Sequence, residues 1–176
     1  MKISRKFGLA LAALSVAAPG VSAQDQSTNR VAAQTDWSVF VEDNPKECWG
    51  VSTPKESVNS KDGRVVAVNR GQTLLMVFYR PSAEANGQVA FTGGYPFASG
   101  STVTLDIGGS QYKLFTEGEW AWPATSSDDA KIIASMKRGS DAVASGRSGR
   151  GTETKDTFSL LGFTAAVEDA EKRCAG

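Results

Sequence analysis

The chain is 176 residues long and 40% hydrophobic, which suits one globular domain with a sizeable core. It carries 19 basic and 19 acidic side chains but no histidine, so Ser-His-Asp and Cys-His nucleophile systems and His-containing metal sites are excluded. A general base would have to be Asp, Glu, Lys or Tyr.

The first 23 residues have the features of a secretory signal peptide. Three positive side chains precede the apolar run 7–18, and Val21-Ser22-Ala23 is a small-residue cleavage site. A retained membrane anchor would need about 20 apolar residues, and Pro19-Gly20 interrupts the run too early. No cysteine follows the run, which argues against a lipoprotein. We predict cleavage after Ala23 and no membrane span in the mature chain.

Cleavage would leave a mature chain with 16 basic and 19 acidic side chains, a net charge of −3. A mildly acidic domain has no general attraction to nucleic acid or anionic lipid. Residues 24–35 are polar and predict a flexible mature N-terminus, with order beginning at Asp36. Residues 36–176 then form one domain.

From Trp37 onward the sequence predicts a series of short strands. Turn residues 69–72 predict a hairpin between two buried strands, and Gly108-Gly109 gives the strongest hairpin signal. In 101–107 polar and apolar residues alternate with period two. The predicted strands are 37–41, 48–53, 64–68, 73–79, 88–92, 101–107, 111–116 and 154–160.

Two helices interrupt this pattern. Ser127-Asp128-Asp129 predicts a capped N-terminus, and Lys137-Arg138-Gly139 predicts the end of that helix. The second helix begins near Gly162, with an apolar face of Phe163, Val167, Ala170 and Cys174. The fold class is therefore mainly β: a two-sheet antiparallel sandwich with one short internal helix and a C-terminal helix.

The two cysteines, Cys48 and Cys174, lie near opposite ends of the predicted domain. A cysteine pair in an oxidising compartment usually forms a disulfide, and we predict an intrachain bond. Two buried free thiols or an interchain bond are the alternatives. No C-x-x-C spacing points to a redox-active pair.

The stretch GRSGRGT, residues 146–152, invites two interpretations. Its glycines have P-loop spacing, but Thr152-Glu153 replace the Lys and Ser/Thr that hold phosphate, and Arg150 breaks the G-x-S-x-G elbow. The pattern favours a connection between strands. The alternative is an anion-contacting surface formed by Arg147 and Arg150.

Two aromatic groups are also ambiguous. Trp120 and Trp122 share one face of a strand, either as core packing or as an exposed surface that stacks a sugar or a partner chain. Tyr95, flanked by glycines, lies in a shaped loop that is either structural or a binding loop. Asp128-Asp129 is better explained as a helix cap than as a metal site, and we predict no metal ligands, catalytic residues or cofactor.

Several collinear motifs resemble the invasion-associated locus B family of alphaproteobacterial envelope proteins. The likeness runs from about Trp37 to Cys174. The motifs that carry it are FTGGYPF (91–97), GSTVTLDIG (100–108), LF (114–115), AW (121–122), ASMKRG (134–139) and SGRGTETKDTFSLLGF (148–163).

The resemblance implies a secreted or periplasmic sandwich of immunoglobulin-like type, and a link to host-cell invasion in pathogenic relatives. It supplies no catalytic residues. The leading hypothesis is a non-catalytic envelope or binding protein in the periplasm, whose partner is an envelope or host protein. The alternatives are a surface adhesion or invasion factor, at the outer surface or secreted, and a carboxylate-based hydrolase of envelope polysaccharide. Oligomeric state stays open.

Overall fold

Most strands bury every second side chain, as a sheet with one face against a core requires. In Thr102–Ile107, for example, Val103, Leu105 and Ile107 are buried and the residues between them are partly exposed. The computed structural model describes residues 29–83 and 85–175, which form twelve strands and two α-helices.

The strands, in chain order, are β1 (Arg30–Gln34), β2 (Trp37–Asp43), β3 (Lys46–Ser52), β4 (Glu56–Lys61), β5 (Arg64–Val65), β6 (Leu74–Arg80), β7 (Ala85–Thr92), β8 (Thr102–Ile107), β9 (Ser110–Glu117), β10 (Trp120–Trp122), β11 (Asp141–Arg147) and β12 (Glu153–Ser159). The helices are α1 (Ser126–Met136) and α2 (Phe163–Cys174), and a 3-10 turn covers Pro81–Ala83.

All strand pairs are antiparallel, and the hydrogen-bonded order is β1-β2-β3-β6-β7-β10-β9-β8-β11-β12-β4-β5. In a flat sheet β7 and β12, five positions apart, would be separated by about 24 Å. Instead the rings of Phe91 on β7 and Phe158 on β12 lie 6.1 Å apart, and Trp37 Nε1 on β2 donates to the Ser159 carbonyl at 3.0 Å. The sheet therefore folds over on itself, which confirms the sandwich class.

The C-terminal helix closes one side of the core. The predicted apolar face of α2, together with Ala166, is buried against β2 and β3. Gly50 of β3 lies beneath the helix, where a Cβ would make ordinary van der Waals contact with Val167 and Ala166 at 3.6–3.7 Å. Cys174 forms the predicted disulfide with Cys48 on β3, with the two Cα atoms 5.8 Å apart.

The N-terminal part of the domain differs from the prediction. Residues 24–35 were expected to be flexible, yet Arg30–Gln34 form β1 and pair with β2. This strand lies at the sheet edge, where its side chains are mostly exposed, so no buried face marks it in the sequence. The predicted signal peptide and residues 24–28 lie outside the described residues.

The predicted hairpin around residues 69–72 is wrong. β5 contains only Arg64–Val65 and pairs with β4 at the far edge of the sheet, whereas β6 is central and pairs with β3 and β7. Val65 is 79% exposed, so its β propensity does not reflect burial. The segment between β5 and β6 instead forms part of the groove described below.

The N-cap of helix α1 lies two positions earlier than expected. Thr125, rather than the predicted Ser127 group, is the N-cap, and its side chain accepts from the Asp128 amide at 3.2 Å. Asp129 does not cap the helix with its carboxylate but accepts from the Val89 amide of β7 at 2.8 Å, which ties α1 to the sheet.

Candidate functional site

Loops at one end of the sandwich enclose a groove of about 550 Å³, here called the loop groove. Its walls come from four parts of the chain: the β5–β6 connection, the loop after β7, the β9–β10 turn and the β11–β12 hairpin. The lining residues are Val68, Asn69, Arg70, Gly94, Tyr95, Pro96, Glu119, Ser148, Gly149, Arg150, Thr152 and Thr154.

An ion pair between Arg70 and Asp156 underlies the loop groove. The guanidinium donates from Nη1 to Oδ1 at 2.9 Å and from Nη2 to Oδ2 at 2.7 Å, a bidentate arrangement. The Asp156 side chain is fully buried, and that of Arg70 is 9% exposed. Ser57 Oγ donates to the same carboxylate at 2.6 Å. Because the two charges cancel, the base of the groove is polar but neutral.

The same arginine positions Tyr95. Its Nε donates to the Gly93 carbonyl at 2.9 Å, and its guanidinium lies 5.1 Å from the centre of the Tyr95 ring. The Tyr95 hydroxyl is 2.5 Å from Thr154 Oγ1. Burial raises the pKa of Tyr95, opposed by the hydrogen bond with Thr154 and by the Arg70 charge. Tyr95 therefore forms a fixed, neutral wall of the loop groove.

Close backbone packing holds the loop after β7 against the β5–β6 connection. Gly94 has a φ of +69°, and a Cβ at this position would lie 2.5 Å from the Gly71 carbonyl oxygen. The Gly71 amide donates to the Gly94 carbonyl at 2.8 Å. Glycine is required here for both conformation and space.

The stretch GRSGRGT forms the end of β11 and the hairpin loop to β12. The Ser148 amide donates to the Thr152 carbonyl at 2.8 Å, and Gly151, with φ +81°, completes the turn. The loop is docked on the Tyr95 segment, because the Gly149 amide donates to the Pro96 carbonyl at 3.0 Å. The segment is therefore built as a connection between two strands, as the sequence favoured.

Arg147 and Arg150 are both exposed on this hairpin, but only Arg150 lines the loop groove. Neither arginine forms an ion pair with any residue that the structure describes. Tyr95 and Arg150, singled out separately from sequence, thus border one groove. Glu119 is the acidic residue among its lining side chains.

Trp120 and Trp122 lie elsewhere. Both face outward from β10, while Ala121 between them is fully buried in the core. They line a second groove of about 340 Å³ on the outer sheet face, here called the tryptophan groove, with Phe78, Arg80, Gln88 and Ala90. Core packing is therefore not the role of this pair.

Sequence reasoning missed Arg70 and Asp156. Arg70 was assigned to a hairpin turn, where a charged side chain is expected to be exposed and to need no buried partner. Asp156 carried a usable signal: Thr154, Asp156 and Phe158 alternate inward along β12, and all three are buried. A carboxylate on the buried face of a strand needs a cationic partner, although the sequence does not say which one.

Residues 29–83 and 85–175 contain neither a metal-binding cluster nor a helix able to span a membrane. No group of three or more His, Cys, Asp or Glu side chains is placed to hold a metal ion. No helix in this part of the chain is long and apolar enough to cross a membrane.

Comparison with known proteins agrees with this architecture. The sequence model of the family described as "Invasion associated locus B (IalB) protein" matches residues 37–171. The chain belongs to the IalB family. The match includes strands β2 to β12, helix α1 and most of helix α2, but not β1. Both the loop groove and the tryptophan groove lie within it.

A solved relative supports the fold of this IalB-family chain. The crystal structure of invasion associated protein B from Bartonella henselae superposes with a TM-score of 0.56. The alignment covers 82% of this chain and 98% of that chain, at 15% sequence identity, a level at which the likeness shows the fold alone. None of the curated proteins is significantly similar in sequence.

Proposed function

We propose that this chain is an exported, non-catalytic binding protein of the cell envelope, and that its loop groove holds a partner segment bearing an anionic group. The observation that carries the proposal is the placement of Arg150 on the wall of a preformed groove with no ion-pair partner among the described residues. The volume of about 550 Å³ lies within the range of ligand sites.

The charges around the loop groove favour an anion. Asp156 neutralises Arg70 at the base, so that arginine contributes no net charge. At the rim, Arg150 shares the groove lining with one acidic residue, Glu119, while the neighbouring Arg147 lies opposite Glu153 in the β11–β12 register. Among the described residues, Arg150 is therefore the lining cation that is free to pair with an anion, although the predicted mature chain carries a net charge of −3.

Backbone NMR titration with inorganic phosphate and with acetate tests the anion site. We expect shifts of the Gly149, Arg150 and Gly151 amides in the wild type, and their loss in the Arg147→Ala/Arg150→Ala double variant. The double variant should stay within about 0.5 kcal/mol of wild-type stability, since both side chains are exposed.

Arg138→Ala is the matched control, because it removes an exposed arginine outside the loop groove. It should leave the titration unchanged. Shifts that are absent in the wild type, or that persist in the double variant, would refute the anion site. An unfolded double variant would mark the hairpin arginines as structural instead.

Export and a periplasmic location are part of the proposal. Support comes from the disulfide, which is typical of oxidising compartments, and from the signal-peptide features of residues 1–23. Proteinase treatment of intact cells, beside cells with a permeabilised outer membrane, provides the test. We expect protection in intact cells and digestion after permeabilisation.

Digestion on intact cells would instead favour the second candidate, a surface adhesion or invasion factor. What favours that candidate is that the family and the Bartonella henselae protein are both described as invasion associated. The hydrolase alternative has less support, because such chemistry needs two carboxyl groups in one groove. Glu119 lines the loop groove, but Asp156 is buried beneath it and bound by Arg70.

A further inference from the structure

The tryptophan groove lies on the face of the sheet that points away from the main core. Met76, Phe78 and Ala90 form a separate small cluster there, packed with Trp49, Val51 and Leu74. Register explains this: Trp49 lies opposite Phe78, and both point outward while their neighbours Cys48 and Val77 point into the core. Trp122 is opposite Phe115 of β9, and Trp120 is 38% exposed.

Aromatic surface and polar groups meet within this groove. The Arg80 guanidinium lies 4.3 Å from the centre of the Phe78 ring. It also donates from Nη1 to Gln88 Oε1 at 3.0 Å, and its Nε lies 3.3 Å from Glu47 Oε1. These contacts hold the planar polar groups of Arg80 and Gln88 in the groove lining, together with the two tryptophans.

The charges on this surface are balanced. Arg80 is the cationic residue in the groove lining, and the Glu47 carboxylate compensates it. An anionic ligand would have to compete with Glu47 for the guanidinium, whereas a neutral ligand could hydrogen-bond to the pair without separating it. Gln88 adds an amide that can both donate and accept.

We propose that the tryptophan groove binds a neutral oligosaccharide. A sugar ring presents apolar C–H faces, which pack on indole, and a rim of hydroxyls, which hydrogen-bond to planar polar side chains. The lining offers both kinds of contact, and its balanced charge suits an uncharged chain. The volume of about 340 Å³, at the lower end of ligand sites, suits a short stretch of the chain.

This site is separate from the loop groove, and the two grooves share no lining residue. The inference therefore does not depend on the anion site, and either one can fail alone. Ionic strength separates them: raising salt should weaken phosphate binding at Arg150 but leave binding of a neutral sugar unchanged.

The experiment titrates the intact mature protein with cellotetraose and with tetra-N-acetylchitotetraose, followed by the indole N–H signals in NMR and by tryptophan fluorescence. We expect at least one of the two sugars to shift the Trp120 and Trp122 signals. Trp120→Ala should weaken that binding at least tenfold. Arg80→Met, which keeps the aliphatic stem but removes the donors, should weaken it as well.

Leu161→Ala serves as the control, since it removes an exposed apolar side chain, 62% accessible, outside both grooves. It should bind the sugar as the wild type does. The proposal is overturned if neither sugar shifts the indole signals at millimolar concentration, or if a folded Trp120→Ala variant binds as tightly as the wild type. If Trp120→Ala does not fold, Trp120→Phe takes its place, with weaker binding expected.

Discussion

Arg70 and Asp156 are oppositely charged side chains that are both largely buried, and each compensates the charge of the other. Removing one charge leaves its partner buried and uncompensated, which typically costs about 3–5 kcal/mol. Asp156→Asn keeps the shape of the side chain but removes the charge. We expect it to lower the free energy of unfolding by about this amount, measured by urea denaturation.

Two companion variants distinguish a buried pair from an exposed one. Arg70→Met/Asp156→Leu removes both charges and should cost less than Asp156→Asn alone. Lys131→Ala breaks an exposed pair with Asp128 and should cost less than about 1 kcal/mol. If Asp156→Asn costs no more than Lys131→Ala, the structural role given to the pair is wrong.

Asp129 provides a prediction about pH. Burial raises the pKa of its carboxyl above the ordinary value of 3.8, opposed by the hydrogen bond from the Val89 amide, while Asp128 raises it further. The folded protein thus binds this proton more tightly than the unfolded chain does. Stability from this group is fully present below pH 3.8 and is lost as pH rises through the raised pKa. Asp129→Asn should therefore gain stability relative to the wild type as pH rises from about 3.5 to 7.

Asp128→Asn should show the opposite pH dependence: it should lose stability relative to the wild type as pH rises. Hydrogen bonds from Thr125 and Lys131 lower the pKa of Asp128, so its stabilising contribution is present at neutral pH and lost in acid. Urea unfolding of the wild type and of both variants at several pH values measures how each stability difference changes with pH. A stability difference for Asp129→Asn that does not change with pH would contradict the assignment.

At the scale of single elements, the sequence predicted best where a strand or helix is buried on one face. The alternation in β8 and the apolar stripe of α2 both come from one-sided burial, and both predictions are confirmed. β1 and β4 escaped prediction because their side chains are mostly exposed, and β4 in addition pairs with β12, which is distant in sequence. The loop groove escaped prediction because it brings together four chain segments that are distant in sequence.

Gly162, at the start of α2, packs against the backbone of β1, so a substitution there should affect both elements. It has a φ of +88° at the N-cap of α2, and a Cβ there would clash with the Gln34 carbonyl of β1. Gly162→Ala should therefore displace β1 as well as strain the backbone. We expect a loss of more than about 2 kcal/mol, and faster amide exchange in Arg30–Gln34, measured by hydrogen–deuterium exchange.

Gly63 supplies the matched control. It also has a positive φ, of +73°, but a Cβ there would meet nothing within 4 Å. Gly63→Ala should cost about 1–2 kcal/mol from backbone strain alone, with unchanged exchange in β1. If Gly162→Ala and Gly63→Ala lower the free energy of unfolding equally, and exchange in β1 is unchanged, the close approach to Gln34 does not stabilise the fold.

At the scale of the whole molecule, the disulfide constrains nearly the entire described domain. Cys48 and Cys174 are 126 residues apart, and the chain-entropy model gives such a closure about 5 kcal/mol, within a usual range of about 2–5 kcal/mol. Cys48→Ser/Cys174→Ser should lower the free energy of unfolding by about 2–5 kcal/mol. Guanidinium denaturation with and without dithiothreitol checks this.

The reductant supplies the internal control. Dithiothreitol should move the wild-type midpoint towards that of the double variant, and it should leave the double variant unchanged. A wild type that is equally stable with its disulfide reduced would show that the packing of α2 against β2 and β3 is sufficient without it.

The strand order has a consequence for how the chain acquires its structure. β4 pairs with β12, and Trp37 on β2 bonds to Ser159, a partner 122 residues later. Such long-range pairing must await the end of the chain, and folds dominated by it form slowly. β4 therefore emerges from the ribosome before its partner β12 exists, and Trp37 on β2 stays without its hydrogen-bond acceptor until Ser159 has been synthesised. Under the proposed export, folding that depends on the C-terminus leaves time for a translocation machinery to take up the polypeptide before it folds.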